Sequence, residues 1–352
     1  MNLKQRIEAF VKLGEFLTQF STERMAKKED SEFNNLFFDA FKMQIERSQE
    51  YNGWFTKNNV LRALESWSNT LTTSKLNKWT SSYTFNEKRP KTVAVIMAGN
   101  IPLVGFHDFL SVLISGYNVQ VKLSSNDSYF LPLIAKFLEH YNEDFKGRIT
   151  FNKEKLTEYD AVIATGSDNT ARYFEHYFGK HPNIIRKNRN SVAILTGNET
   201  QKELELLGED IFLYFGLGCR SVSKVFVPNK YNFDVLFKAI YKFKEIIEYK
   251  KYENNYDYNK AVYLMSLFNL KENGFLMLKE DSQYASPIAT LFYEYYDDFE
   301  KLLEKLQQDK ERIQCVVSNE NAVDFVKLGN SQKPELWNYA DNVDTIEFLL
   351  KL

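Results

Sequence analysis

The chain has 352 residues, with 45 Lys and Arg against 47 Asp and Glu, a formal charge of −2. That length supports two domains or one large one with a substantial core, and the balanced charge, with no block of one sign, argues against nucleic acid or an anionic membrane as the main partner. The two cysteines, Cys219 and Cys315, stand in unlike surroundings, which excludes a disulfide scaffold and leads us to expect a reducing, cytoplasmic setting.

Residues 1–20 place Leu3, Ile7, Phe10, Gly14 and Leu17 on one stripe without a continuous apolar run, which predicts a helix rather than a signal peptide. Two more helices are predicted over 31–43 and 57–71, the latter capped by Thr56. From Thr92 the texture changes. Short β-branched runs at 93–97, 119–123, 149–151, 161–164 and 192–195 alternate with helical patterns at 103–115, 127–141 and 169–178, which Gly116 and Gly179 help to end. Such alternation implies right-handed crossovers and a mostly parallel sheet, with ligands beyond the C-terminal ends of its strands. The longest apolar stretches, 93–98 and 109–114, fall far short of the roughly 18 residues that span a bilayer, so no transmembrane segment is expected.

A helix over 200–215 runs into Gly216-Leu217-Gly218-Cys219, followed by a strand at 221–227 that Pro228 stops. A second αβ segment begins there. It has a helix at 233–249, a polar aromatic stretch with Tyr252, Tyr256 and Tyr258, strands at 275–278 and 288–293, a helix at 299–308 and a strand at 313–317. On this rhythm the chain divides into a helical segment (1–90) packed on a cofactor domain (91–216), a second αβ domain (217–335) and a tail (336–352).

Cys219 follows two glycines at a helix-to-strand turn, where a substrate can approach the sulfur and backbone N–H groups can stabilise a thiolate. A buried small hydrophobe is the competing reading. Cys315, inside a β-branched run, reads as core. Asn100 leaves the end of the first strand, where its amide can hold an oxyanion or cap a turn. Lys122 ends the second strand ahead of Ser124 and Ser125, a cation and hydroxyls that suit phosphate or ribose, although a helix cap explains the serines equally well. Thr165-Gly166-Ser167 repeats the pattern after the fourth strand. Together the two turns look like one dinucleotide site, yet the chain lacks a Gly-x-Gly-x-x-Gly fingerprint. The four histidines show no metal-ligand spacing, so no metal is expected.

Taken in order, these segments resemble the aldehyde dehydrogenase superfamily, most closely its LuxC-type branch of fatty acyl-CoA (acyl-thioester) reductases. The resemblance runs from about Thr92 to Asp344. It implies an α/β aldehyde-dehydrogenase-like fold with a Rossmann-type cofactor domain, a second αβ domain carrying the thiol, and a helical N-terminal segment. In that family's pattern Asn100 matches the oxyanion asparagine, Lys122, Ser124 and Ser125 the nucleotide-ribose segment, Thr165-Gly166-Ser167 the phosphate-contacting turn, and Cys219 the nucleophile. The implied reaction is reduction of an acyl-CoA by NADPH, with an acyl-protein synthetase as an implied partner and a homo-oligomer left open.

The chain also departs from that pattern. Hydrolytic members carry a glutamate base where Arg186-Lys187-Asn188-Arg189-Asn190-Ser191 stands, and the acid that often follows the lysine is replaced by Ser125, which favours NADPH. The acid that holds the nicotinamide ribose has Gln283 at its spacing, with Glu280 nearby. An acyl-phosphate or semialdehyde reductase of the same fold, a catalytically silent nucleotide-binding subunit, and a hydrolase using Cys219 remain as alternatives.

Overall fold

The computed structural model describes residues 1–85, 90–152, 154–320 and 324–352, which divide into two compact units. The first comprises residues 1–187 and 335–352, the second residues 188–334.

In the first unit, helices α1 (Leu3–Leu17), α2 (Asn34–Tyr51), α3 (Lys57–Thr70) and α4 (Thr73–Thr80) precede the sheet. Asn2 and Gln5 form a capping box at α1, and Thr56 and Thr72 cap α3 and α4 by accepting from backbone amides three residues on. The apolar stripe of α1 buries Phe10, Leu13 and Phe16 fully; Phe16 lies 5.2 Å from Phe41 and 5.0 Å from Phe137, centroid to centroid. Then come β1 (Thr92–Ile96), α5 (Phe106–Ile114), β2 (Asn118–Lys122), α6 (Phe130–Tyr141), β3 (Ile149–Phe151), β4 (Ala161–Thr165), α7 (Asp168–Phe178) and β5 (Asn183–Arg186). Among the described residues these strands form one sheet in the order β3-β2-β1-β4-β5, every pair parallel. The order reverses at β1, the topological switch point where open α/β sheets bind ligands. The N-terminal helices share one apolar core with α5 and α6, as Phe10 shows by meeting Phe106 of α5 edge-on and Phe16 by lying against Phe137 of α6. Arg6 reaches the same level and donates to the carbonyl of Ile114 at the end of α5 (2.9 Å).

The second unit contains β6 (Asn190–Ile194), α8 (Gln201–Phe212), β7 (Val222–Pro228), α9 (Phe233–Ile240), α10 (Lys250–Met265), β8 (Leu270–Glu272), β9 (Met277–Glu280), β10 (Thr290–Tyr296), α11 (Phe299–Gln308) and β11 (Ile313–Val317). Its sheet runs β11-β6-β7-β10-β9-β8, parallel except for the antiparallel edge pair β8 and β9.

Several expected boundaries move. The division expected at residue 217 falls after Lys187, because β6 hydrogen-bonds to β7 and β11 and so belongs to the second sheet. The tail is part of the first unit: α12 (Thr345–Leu350) buries Ile346 and Leu349 there. The expected helix at 103–115 begins at Phe106, since Leu103 is left-handed (φ 57°). The helix expected to run to residue 215 stops at Phe212, and the one expected to run to residue 249 becomes a 3₁₀ turn from Tyr241. The polar aromatic stretch is α10, whose Tyr252 and Tyr256 are buried.

A buried ion pair ties these pieces of the first unit together. Arg186 at the end of β5 meets Asp108 of α5, both about nine-tenths buried or more, and also donates to Thr345 Oγ1 at the start of α12 (3.2 Å). Removing one partner strands a charge away from water, which typically costs about 3–5 kcal/mol. Asp108→Ala should therefore lose stability on that scale in urea unfolding, and Asp108→Leu/Arg186→Met should recover most of it; a loss under about 1 kcal/mol for the single variant would contradict the role given to the pair.

Candidate active site

Parallel pairing sets the first group of residues. Ile96 at the end of β1 is in register with Lys122 on one side and Ala164 on the other, and the Met97 amide continues the ladder by donating to the Lys122 carbonyl (3.0 Å). The turns after β1, β2 and β4 consequently emerge at one edge of the sheet. They carry Asn100, then Ser124 and Ser125, then Thr165-Gly166-Ser167. Asn100 and Ser125 are exposed, whereas Lys122 and Ser124 are half-buried.

The first two turns touch. A Cβ on Gly99 would lie 2.5 Å from Ser124 Oγ, so glycine is needed to let Asn100 follow so close to the second turn. Ser124 Oγ accepts from the Asn126 amide (3.2 Å), and Asn52 at the end of α2 donates to the carbonyls of Gly99 (3.4 Å) and Asn126 (3.3 Å). Asp127 accepts from the Leu103 amide (2.8 Å) and so anchors the segment after Asn100. At the third turn, Ser167 is the N-cap of α7, accepting from the Thr170 amide (3.3 Å), and the Gly166 amide donates to the Arg186 carbonyl (3.4 Å). Ser167 thus caps α7, whose N-terminus faces the same edge. An ammonium, hydroxyls and a helix N-terminus form a donor set that fits the phosphates and ribose of a dinucleotide.

Cys219 belongs to the second unit. Ahead of it Tyr214 (φ 53°), Phe215 (φ 58°) and Gly216 (φ 74°) are all left-handed, a conformation that disfavours side chains. Phe215 is held there by stacking on Tyr249, centroids 4.9 Å apart. The chain then turns through Gly218-Cys219-Arg220-Ser221, closed by the Ser221 amide donating to the Gly218 carbonyl (2.9 Å). Cys219 is half-buried on this turn, and its own carbonyl accepts from Ser191 Oγ (2.9 Å).

Sequence reasoning gave Ser191 no role beyond its place in the 186–191 segment and treated Cys315 as core. The structure brings Cys315 Sγ to 3.1 Å from the same Ser191 Oγ. Desolvation pushes the Cys315 thiol up, against the charge of Arg220. Lys224 on β7 was also missed. Fully buried, it donates to Glu294 (2.6 Å) and to the Ser282 carbonyl (3.0 Å), and desolvation lowers its pKa in spite of Glu294. No motif marks these residues, since each is placed by strand pairing.

Each cation described in the segment that replaces the expected glutamate has a carboxylate partner: Arg186 on Asp108, Lys187 on Glu175 (2.9 Å) and Arg189 on Glu311 (3.2 Å). Glu280 and Gln283 are exposed, and Gln283 accepts from Arg312 (3.4 Å). Among the described residues, no three His, Cys, Asp or Glu side chains are grouped to hold a metal ion, and no helix is long and apolar enough to cross a membrane.

Comparison with known proteins identifies the family and the fold. The family model for acyl-CoA reductase (LuxC) matches residues 4–239, more than half of the chain. Long-chain acyl-protein thioester reductase 2 of Photobacterium leiognathi is 25% identical over 213 residues, covering 54% of this chain and 42% of that protein; the chain spans less than half the relative's length. Aldehyde dehydrogenase 21 from Physcomitrella patens, solved with its reaction product succinate, superposes with a TM-score of 0.67 over 100% of this chain and 84% of its own, at 10% identity. An NAD+ complex of an aldehyde dehydrogenase from Bacillus cereus gives a TM-score of 0.60 over 92% and 73%, at 13% identity. The fold is aldehyde-dehydrogenase-like, with a Rossmann-type unit, a second αβ unit and helices at the N-terminus.

Desolvation pushes the Asp127 carboxyl up to about 6, against the Leu103 hydrogen bond. A folded pKa above the unfolded value means that ionisation favours the unfolded chain, so stability present below about pH 4 is lost as pH rises to about 6. Asp127→Asn keeps the acceptor and drops the charge. Its Tm should match the wild type near pH 4 and exceed it increasingly up to pH 6, then hold; a constant offset across this window would show that Asp127 does not titrate there.

Proposed function

The chain belongs to the LuxC acyl-CoA reductase family, and from that premise we propose that it reduces a fatty acyl thioester to the aldehyde, using NADPH and an acyl group carried on Cys219. The observation that carries this reading is Cys219 on a tight turn within the span that matches the family, preceded by a strained left-handed stretch. Backbone strain of this kind collects at functional sites.

The Cys219 thiolate attacks the thioester carbonyl, and the Cys219 backbone N–H holds the oxyanion; Asn100 takes the oxyanion-amide role that the family resemblance gives it. Collapse expels the donor thiol, CoA or a carrier, and leaves a thioester on Cys219. Lys122, Ser124, Ser125, Thr165, Gly166 and Ser167 hold the cofactor, which when bound supplies the hydride. The resulting thiohemiacetal on Cys219 breaks its C–S bond to release aldehyde and restore the thiolate. One proton is consumed overall, acyl thioester, NADPH and H⁺ giving aldehyde, thiol and NADP⁺. An acyl-protein synthetase is the partner this reaction implies, since a carrier or synthetase must present the acyl group.

The segment that replaces the water-activating glutamate is basic, and its described cations are engaged with carboxylates. General-base assistance is typically worth about 10²- to 10⁴-fold, so the acyl group on Cys219 leaves to a thiol rather than to water. Run in reverse on a long-chain aldehyde with NADP⁺, the protein should form acyl-CoA only when CoA is supplied, with almost no free acid. Rapid acid formation without CoA would turn it into an ordinary aldehyde dehydrogenase.

Cofactor choice follows from Lys122 and the serines, which offer a cation and hydroxyls to a 2′-phosphate. A charge-assisted hydrogen bond contributes on the order of 1.5–3 kcal/mol, roughly ten- to a hundredfold. Lys122→Ala should lower kcat/KM for NADPH by about that factor and leave NADH nearly unchanged; an equal loss with both cofactors would show that Lys122 does not read the 2′-phosphate.

A further inference from the structure

The turn that presents Cys219 is anchored from outside itself. Its closing bond joins the Ser221 amide to the Gly218 carbonyl, so the central peptide, made of the Cys219 carbonyl and the Arg220 N–H, lies outside that closure. This is the peptide whose rotation interconverts the common turn types, changing ψ of Cys219 and φ of Arg220. The hydroxyl of Ser191, 0% exposed on β6, holds its carbonyl at 2.9 Å.

Strand pairing explains why Ser191 stands there. Between Ser191 and Val192, β7 advances from Val222 to Lys224, one residue more than β6. On the other side, β11 advances from Ile313 to Val316 while β6 advances only from Asn190 to Val192. Both neighbours of β6 therefore carry an extra residue at the same level, and such bulges re-aim side chains. Cys315 lies within the second bulge.

Proton counting then fixes the direction of the chain. A serine hydroxyl has one proton. The Cys219 carbonyl can only accept, so that proton lies toward it. The 3.1 Å contact on the other side of Ser191 must then be donated by the Cys315 S–H. The order is Cys315 Sγ–H to Ser191 Oγ–H to the Cys219 carbonyl, and burial keeps the Cys315 thiol in the protonated form this order needs.

We propose that Ser191 is a positioning residue for Cys219, and that Cys315 keeps the Ser191 hydroxyl in its donating orientation. Its importance for turnover rests on Cys219 being the nucleophile proposed above, whereas its effect on the Cys219 turn does not. The first measurement is therefore the alkylation rate of Cys219 by iodoacetamide, in a Cys315→Ser background that leaves one thiol and retains an O–H donor. In that background Ser191→Ala should slow alkylation about five- to tenfold, the change that corresponds to one hydrogen bond, and Ser191→Thr should restore it. With Ser191 intact, Cys315→Ala should slow alkylation more than Cys315→Ser. Turnover by Ser191→Ala should fall in kcat with KM for the cofactor unchanged. Where Ser191→Ala fails to fold, the comparison of Cys315→Ala with Cys315→Ser supplies the same test. Unchanged alkylation in folded Ser191→Ala, or in Cys315→Ala where that variant replaces it, would overturn the proposal. Full turnover by Cys219→Ser would instead overturn the nucleophile and leave the alkylation result standing.

Discussion

Parallel hydrogen bonding of β1 to β2 on one side and β4 on the other is the constraint from which the chemistry of the first unit follows. Parallel neighbours end at the same edge, and their crossovers must return over the faces of the sheet. Three turns far apart in sequence are thereby delivered together, without any of them needing a strong motif. Close approach does the rest. Gly99 has no Cβ to keep it from Ser124, Asp127 holds the Leu103 amide, and Asn52 reaches in from α2. The N-terminal helices are therefore part of the support of this edge as well as of the core. Arg186 serves the same unit, spanning from β5 to α5 and α12, and so has a structural task.

In the second unit the corresponding constraint is β6, central between β11 and β7. It is short, and the bulges in both its neighbours fall at Ser191. Rigid strands are better supports for a reactive group than loops alone, and the Cys219 turn borrows the rigidity of β6 through the Ser191 hydrogen bond. The left-handed run at Tyr214, Phe215 and Gly216 sets the entry to the turn, with Phe215 stacked on Tyr249. A few residues beyond it, Lys224 is buried against Glu294, which Lys305 also contacts. Desolvation would push Glu294 up, but the hydrogen bonds from both lysines hold it below the usual carboxylate range. Lys224 lies on β7, the strand that leaves the Cys219 turn.

Much of this was legible from residue pattern because local and global preferences agree. Runs such as Val93 to Ile96 and Ala161 to Ala164 are continuous and β-branched, as strands buried on both faces must be, and they were found with small errors at their ends. Asn100, Lys122, Ser124 and Thr165 stand out in the sequence as polar residues at the ends of apolar strands, and parallel pairing brings their turns to one edge of the sheet. What was missed depends on long-range contacts. Helix α10 buries Tyr252 and Tyr256 but exposes Tyr258 and Val262, so it shows no helical periodicity. Strand β5 has four residues and ends in an arginine whose partner is 78 positions away. The boundary after Lys187 is a matter of which sheet β6 joins, and pairing between β6 and β11 spans more than a hundred residues. Ser191 and Cys315 could be linked to Cys219 only once that pairing was known.

The central claim is that the acyl group is carried on Cys219 before reduction. The most direct measurement mixes the protein with a long-chain acyl-CoA in the absence of NADPH, quenches rapidly in acid, and reads intact mass and the modified peptide. The account predicts one acyl increment per chain, on the peptide containing Cys219, discharged as an equal amount of aldehyde when NADPH is added before the quench. An increment on Cys315, or aldehyde released by a chain that never carries the increment, would contradict it.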